Sequence, residues 1–293
     1  MLKKTLLVIL FAVIAGPALP LAQGRGGGGS GSGGGTPAML GADPTPFELF
    51  VDKLVLTTDQ LTAIQKFYSA AVTEGAPISH ELVALREKMM TAEGAGKAAD
   101  FTAAAAGYVT ASTKMIAVEV KAFKQAEGIL KPKQLSKTAE AFAFIGGLFN
   151  QPTPRQRFPP ADLKTPPPPT TRLGIFAAVF ALTEDQKKQV KTLLDAEYKG
   201  AAPLRDQLGK ARTALGMAIQ TKKSLSEVDD AAKQYAEQAA ALAQVETKAI
   251  AKIIGMTSET ARGNQTAMTW AVNMSRGIFA GRKWDTAPDN RFY

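Results

Sequence analysis

A helix start written twice constrains this chain more than any other feature. Leu56-Thr57-Thr58-Asp59-Gln60 and Leu182-Thr183-Glu184-Asp185-Gln186 both read Leu-Thr-x-Asp-Gln, 126 residues apart. Thr is a good N-cap, because its hydroxyl accepts a bond from an orphan N–H of the first turn, and a Gln three residues on can bond back to the cap. The acid between them sits at the positive end of the helix dipole. The Leu before the cap can pack on the first turn. One such box says little, but the same box inside a longer repeat says much more.

The register holds well beyond the boxes. At the same offset Phe50 meets Phe176, Ile64 meets Val190, Pro77 meets Pro203, Leu82 meets Leu208 and Arg86 meets Arg212. Gly75-Ala76-Pro77 and then Gly94 and Gly96 read as breaks in the first block. A long alanine-rich stripe follows from Phe101 through Tyr108 and Met115 to Ile129. In the second block this stripe returns as Val228, Tyr235, Leu242, Val245 and Ile253, with Ser226-x-x-Asp229 as its cap. Leu130-Lys131-Pro132-Lys133-Gln134 reads as a further helix start, with Pro in the first turn, and Met256-Thr257-Ser258-Glu259 reads as its degraded counterpart. No segment alternates with period two, so the expectation is all-α: two tandem units of four or five helices each, 47–149 and 173–280.

The flanks differ in composition. Lys3 and Lys4, the apolar run Leu6 to Ile14 and the small residues up to Ala22 read as a secretory signal over 1–22. A Gly/Ser-rich tether (23–46) follows. A Pro-rich linker (150–172) joins the units, and 281–293 reads as a loose tail. Export places the chain in the periplasm, where nucleotide triphosphate is not expected. The net charge of +9 is concentrated in residues 172–293, while 45–150 is balanced. Such charge favours acidic partners or simply solvates helix faces.

Reactive chemistry is hard to find. With no Cys and one His, thiolate and multi-His metal sites and most nucleophile–base pairs are excluded. His80 reads as a surface residue. Gly94-Ala95-Gly96-Lys97-Ala98 lacks the upstream glycine and the hydroxyl of a phosphate loop. Asp229-Asp230 is accounted for by a helix start. Asn264-Gln265-Thr266 fits a glycosylation sequon only incidentally. The methionines, among them Met89, Met90 and Met217, are either core filling or an adaptable surface for varied partners. Arg86 and Arg212 either line a basic concave face or form a salt bridge within each unit, for instance with an acid on the long helix. The expectation is therefore no catalytic residue, no metal, no cofactor and no enzymatic activity.

Taken together, the signal segment, the Leu-Thr-x-x-Gln start, the Pro-broken hairpin, the long helix and the Leu130-Lys131-Pro132-Lys133-Gln134 start resemble the Spy/CpxP family of periplasmic proteins. The resemblance covers 47–149 and 173–279. In the second block the later start has Thr260 in place of Gln. The resemblance implies thin, curved helical dimers whose concave, basic and partly apolar face holds unfolding clients without ATP, or regulates an envelope-stress or metal-responsive sensor. The motif residues are then Leu56, Thr57, Gln60, Leu130, Pro132, Gln134, Leu182, Thr183 and Gln186. Arg86, Met89, Met90, Arg212 and Met217 are the candidate client contacts. The implied partners are unfolded envelope proteins or a sensor-kinase periplasmic domain, without nucleic acid or stable membrane insertion. Two units in one chain could form the dimer-like cradle internally.

Overall fold

Both repeated boxes start helices in the computed structural model, which describes residues 46–145, 171–279 and 284. Thr57 caps α2 (Thr58–Gly94): its hydroxyl accepts from the Gln60 N–H, and Gln60 Oε1 accepts from the Thr57 N–H at 3.1 Å. Thr183 and Gln186 close the same box on α7 (Glu184–Gly200), with the return bond at 2.9 Å. Each box follows a short helix, α1 (Pro46–Leu54) or α6 (Arg172–Val179), and each short helix is stopped by a left-handed residue, Val55 (φ 50°) or Ala181 (φ 49°). The Leu of each motif then donates back across the turn, Leu56 N–H to Val51 O and Leu182 N–H to Ala177 O, which occupies carbonyls the helix end would leave free.

The remaining elements are also helices, and the described residues contain no strand. They are α3 (Ala98–Glu127), α4 (Pro132–Leu135), α5 (Thr138–Ile145), α8 (Ala202–Gln220), α9 (Leu225–Gly255), α10 (Glu259–Arg262) and α11 (Gln265–Ser275). The signal segment, nearly all of the tether and of the Pro-rich linker, and the tail apart from Trp284 lie outside the described residues. So do residues 146–149 at the end of the first expected unit.

Three local expectations are corrected. The Gly75-Ala76-Pro77 break does not occur, because α2 runs through Pro77 as one helix. Proline removes one N–H and crowds the carbonyl four residues back. Here Tyr68, Ala71, Gly75 and Leu82 keep one face of α2 buried across the site. At the matched Pro203 the helix does break, into α7 and α8. The Arg205 side chain there donates to the Tyr198 carbonyl at 2.7 Å and stacks 3.9 Å from the Tyr198 ring. The cap of α9 is Ser224 with Glu227, two residues before the expected Ser226. Trp284 is not in a loose tail: it is buried, its indole donates to Asp195 at 3.0 Å, and its carbonyl accepts from Leu173 N–H.

The two blocks pack together. Helix α2 lies along α3, and α8 along α9. Helices α2 and α3 both meet α9, so the long hairpins share a core. The short helices cross over: α5 of the first block packs on α8 of the second, and α11 of the second packs on α2 of the first. The α5–α8 contact is tight at Gly216, where a Cβ would sit 2.8 Å from the Ala139 carbonyl oxygen. Phe50, Tyr68, Phe123 and Phe142 form an edge-on aromatic cluster in the first block. Tyr198, Phe279 and Trp284 form another in the second. Burying one such ring is worth about 1.5–3 kcal/mol.

Candidate functional site

The repeated starts do more than cap helices. In the first block each Gln amide works in two directions. Gln60 Oε1 caps its own helix, and its Nε2 donates to the Ile129 carbonyl and to Gln134 Oε1, both at 2.9 Å. Gln134 mirrors this: Oε1 accepts from Lys131 N–H at 2.8 Å, and Nε2 donates to the Leu54 carbonyl at 2.9 Å. The two amides therefore clasp the end of α1, the start of α2 and the α3–α4 turn. In the second block Gln186 Nε2 donates to the Met256 carbonyl at 2.8 Å. The residue at N3 of α10, the place Gln134 holds in α4, is Ala261, which has no amide to return. The position aligned with Gln134 is thus Ala261 rather than Thr260, because the offset between blocks grows by one residue in the turn before the long helix, between α2 and α3 and between α8 and α9. Leu56, Leu130 and Leu182 pack at the core, while Pro132 stands exposed in the first turn of α4.

Arg86, Met89 and Met90 are not surface residues. They are 6%, 0% and 2% exposed, which removes them as client contacts. α2 is covered by α3, α9 and α11, so more than one of its faces is buried. Arg86 pairs across the blocks with Glu246 at 2.9 Å, donates to Tyr108 Oη at 3.2 Å and donates to the Ser275 carbonyl at 2.9 Å. Glu246 in turn accepts from the backbone N–H of Gly277 and Phe279. Burial alone would lower the Arg86 pKa, but the attraction of Tyr108 and Glu246 and their hydrogen bonds outweigh it and hold it above the ordinary value. Burial, with Arg86 nearby, pushes Arg276 down to about 10.

Arg212 repeats part of this arrangement. Its Nε donates to Tyr235 Oη at 3.0 Å, and its charge is felt by the buried Glu119. It is half-buried, and the acid that acts on it, Glu119, lies across the block boundary on α3. The acids that sequence reasoning missed are Glu119 and Glu246. Both lie on the apolar stripes of the long helices, beside Val118 and Val245, and a charge at a core register is the signal that marks them.

Met217 is the candidate that reaches solvent, at 47% exposure. With Arg205, Asp206, Gly209 and Lys210 it lines an open groove of about 640 Å³ along α8. Asn264 has a local role: its Oδ1 caps α11 by accepting from the Thr266 and Ala267 N–H groups. His80 is exposed on α2. Among the described residues no helix is long and apolar enough to cross a membrane, and no group of His, Cys, Asp or Glu is arranged to hold a metal.

No protein-family model, no curated protein and no solved structure matches this chain.

Proposed function

We propose that this chain is an ATP-independent holdase of the bacterial envelope, exported by its N-terminal segment, that binds unfolded or stressed proteins. In this reading it is a doubled Spy/CpxP-like unit, and the crossing of α5 onto α8 and of α11 onto α2 makes it an internal pseudo-dimer. The observation that carries the reading is Met217, an exposed flexible apolar side chain on a rigid helix beside Lys210 and Arg205. A thioether adapts to varied partners. Fully burying a Met is worth about 1.5–3 kcal/mol, so a half-exposed one adds about 1 kcal/mol. That is weak holding, and cations that raise the encounter rate complement it. No nucleotide is needed for such a cycle.

The test is aggregation of a chemically denatured client, followed by light scattering without nucleotide. The proposal expects suppression at equimolar protein and weaker suppression by Met217→Glu. Unchanged scattering with the wild-type chain would overturn it. Capture of one stoichiometric partner from an envelope extract, in place of many weak ones, would move the reading to regulation of a sensor.

A further inference from the structure

We propose that the groove between the end of α1 and α4 is a docking site for acidic peptide segments, in which carboxylates flank an apolar side chain. The groove encloses about 590 Å³, room for a few residues of extended chain. Val55 gives it an apolar wall over the buried Leu54, Pro132 stiffens its rim, and Lys131, Lys133 and Lys137 surround it. Its base is the double Gln clasp, which fixes α1 and α4 against each other before any ligand arrives.

Two observations point to a ligand. The first is Val55, which is 72% exposed while its backbone is left-handed at φ 50°. A β-branched residue is strained there, whereas Gly would make the turn freely. An exposed, strained valine serves the turn poorly and offers an apolar contact to something outside. The matched Ala181 makes the same turn without that reach. The second observation is charge. Lys131, Lys133 and Lys137 are exposed, and none is in an ion pair with a carboxylate of the described residues. At the corresponding start in the second block stand Ser258, Thr260 and Asn264, with Glu259 in place of Pro132. The positive field therefore belongs to this groove and not to the repeat as such. Cations around an apolar wall select segments that present both carboxylates and an apolar side chain.

The proposal goes beyond the holdase reading, because it stands whether or not the α8 face holds clients. It is tested with the full chain by fluorescence anisotropy. The labelled probe is a peptide alternating Asp and Glu with Leu and Phe, and the control carries Lys in place of the acids. The acidic probe should bind about tenfold tighter than the control, and more weakly as salt rises. Lys133→Glu combined with Lys137→Glu should weaken it about tenfold. Val55→Gly should weaken it about threefold while the melting temperature rises, a pairing that a purely structural role does not give. Equal binding of the two peptides, or unchanged affinity in the double variant, would overturn the proposal. So would lysine-dependent binding to phosphatidylglycerol vesicles without binding to the peptide.

Discussion

The two Leu-Thr-x-Asp-Gln starts build the same box from the same residues, yet they are held differently. The first start is clasped by a partner amide, Gln134, and faces three lysines. The second has Ala261 in the place of that amide and carries Ser258, Thr260 and Asn264. The matched arginines differ in the same way. Arg86 is sealed inside with Glu246 across the block boundary, while Arg212 bonds Tyr235 and stays partly open. The matched prolines split too, with Pro77 absorbed in α2 and Pro203 dividing α7 from α8. The lesson is that a capping box sets where a helix begins, while tertiary partners decide how firmly its end is held and whether its face stays free.

The largest way to break the comparison is at the arginines. Glu246→Leu strands the Arg86 guanidinium in the core and should cost about 3–5 kcal/mol in urea unfolding, whereas Arg212→Met should cost about 1 kcal/mol. Equal losses would mean that the two sites are equivalent after all. Next is Gly216→Ala, which drives a methyl to within 2.8 Å of the Ala139 carbonyl. The helix-propensity gain offsets part of the clash, and a net loss of about 1–2 kcal/mol is expected. Smaller again is the clasp. Gln134→Ala should cost about 1–1.5 kcal/mol, and Ala261→Gln should recover part of that in the second block. Val55→Gly should gain about 1 kcal/mol by relieving the left-handed strain, and Ala181→Gly should gain less.

The smallest effect is on pH dependence. Hydrogen bonds from Lys223 and from Ser224 hold the exposed Glu227 carboxyl down at about 2, against an ordinary 4.5. Because the folded pKa is depressed, its stabilisation is fully present above about 4.5 and is lost as pH falls toward about 2. Acid melts of Glu227→Gln should therefore converge with wild type near pH 2 and fall slightly below it near pH 6.

Much of the secondary structure was legible in the chain. The caps at Thr57 and Thr183, the glycine at 96 and the long apolar stripes are local signals, and the helices follow them. The fate of Pro77 was not legible, since its ring is tolerated only because α2 is packed along its length. The site was less legible than the fold. Periodicity placed Met89 and Met90 on a helix but could not count how many helices would cover it. Arg86 was readable as an ion pair, but its partner lies in the other block, 160 residues away. Met217 stayed outside because α8 is covered on fewer sides. Two of the three lysines near Val55, Lys131 and Lys133, were hidden in a motif read only as a helix start.

The central claim is that the blocks form one cooperative body through α5 on α8, α11 on α2 and the Arg86–Glu246 pair. Trp270 lies in the second block and Trp284 packs on that block's Tyr198 and Phe279, so their fluorescence reports chiefly that block, while circular dichroism reports all the helices. The deciding measurement is urea unfolding of Leu82→Ala, a first-block core truncation expected to cost about 2–5 kcal/mol. The account predicts that the tryptophan and dichroism transitions shift together by the same amount. A tryptophan transition that stays at the wild-type midpoint while the dichroism splits in two would contradict it.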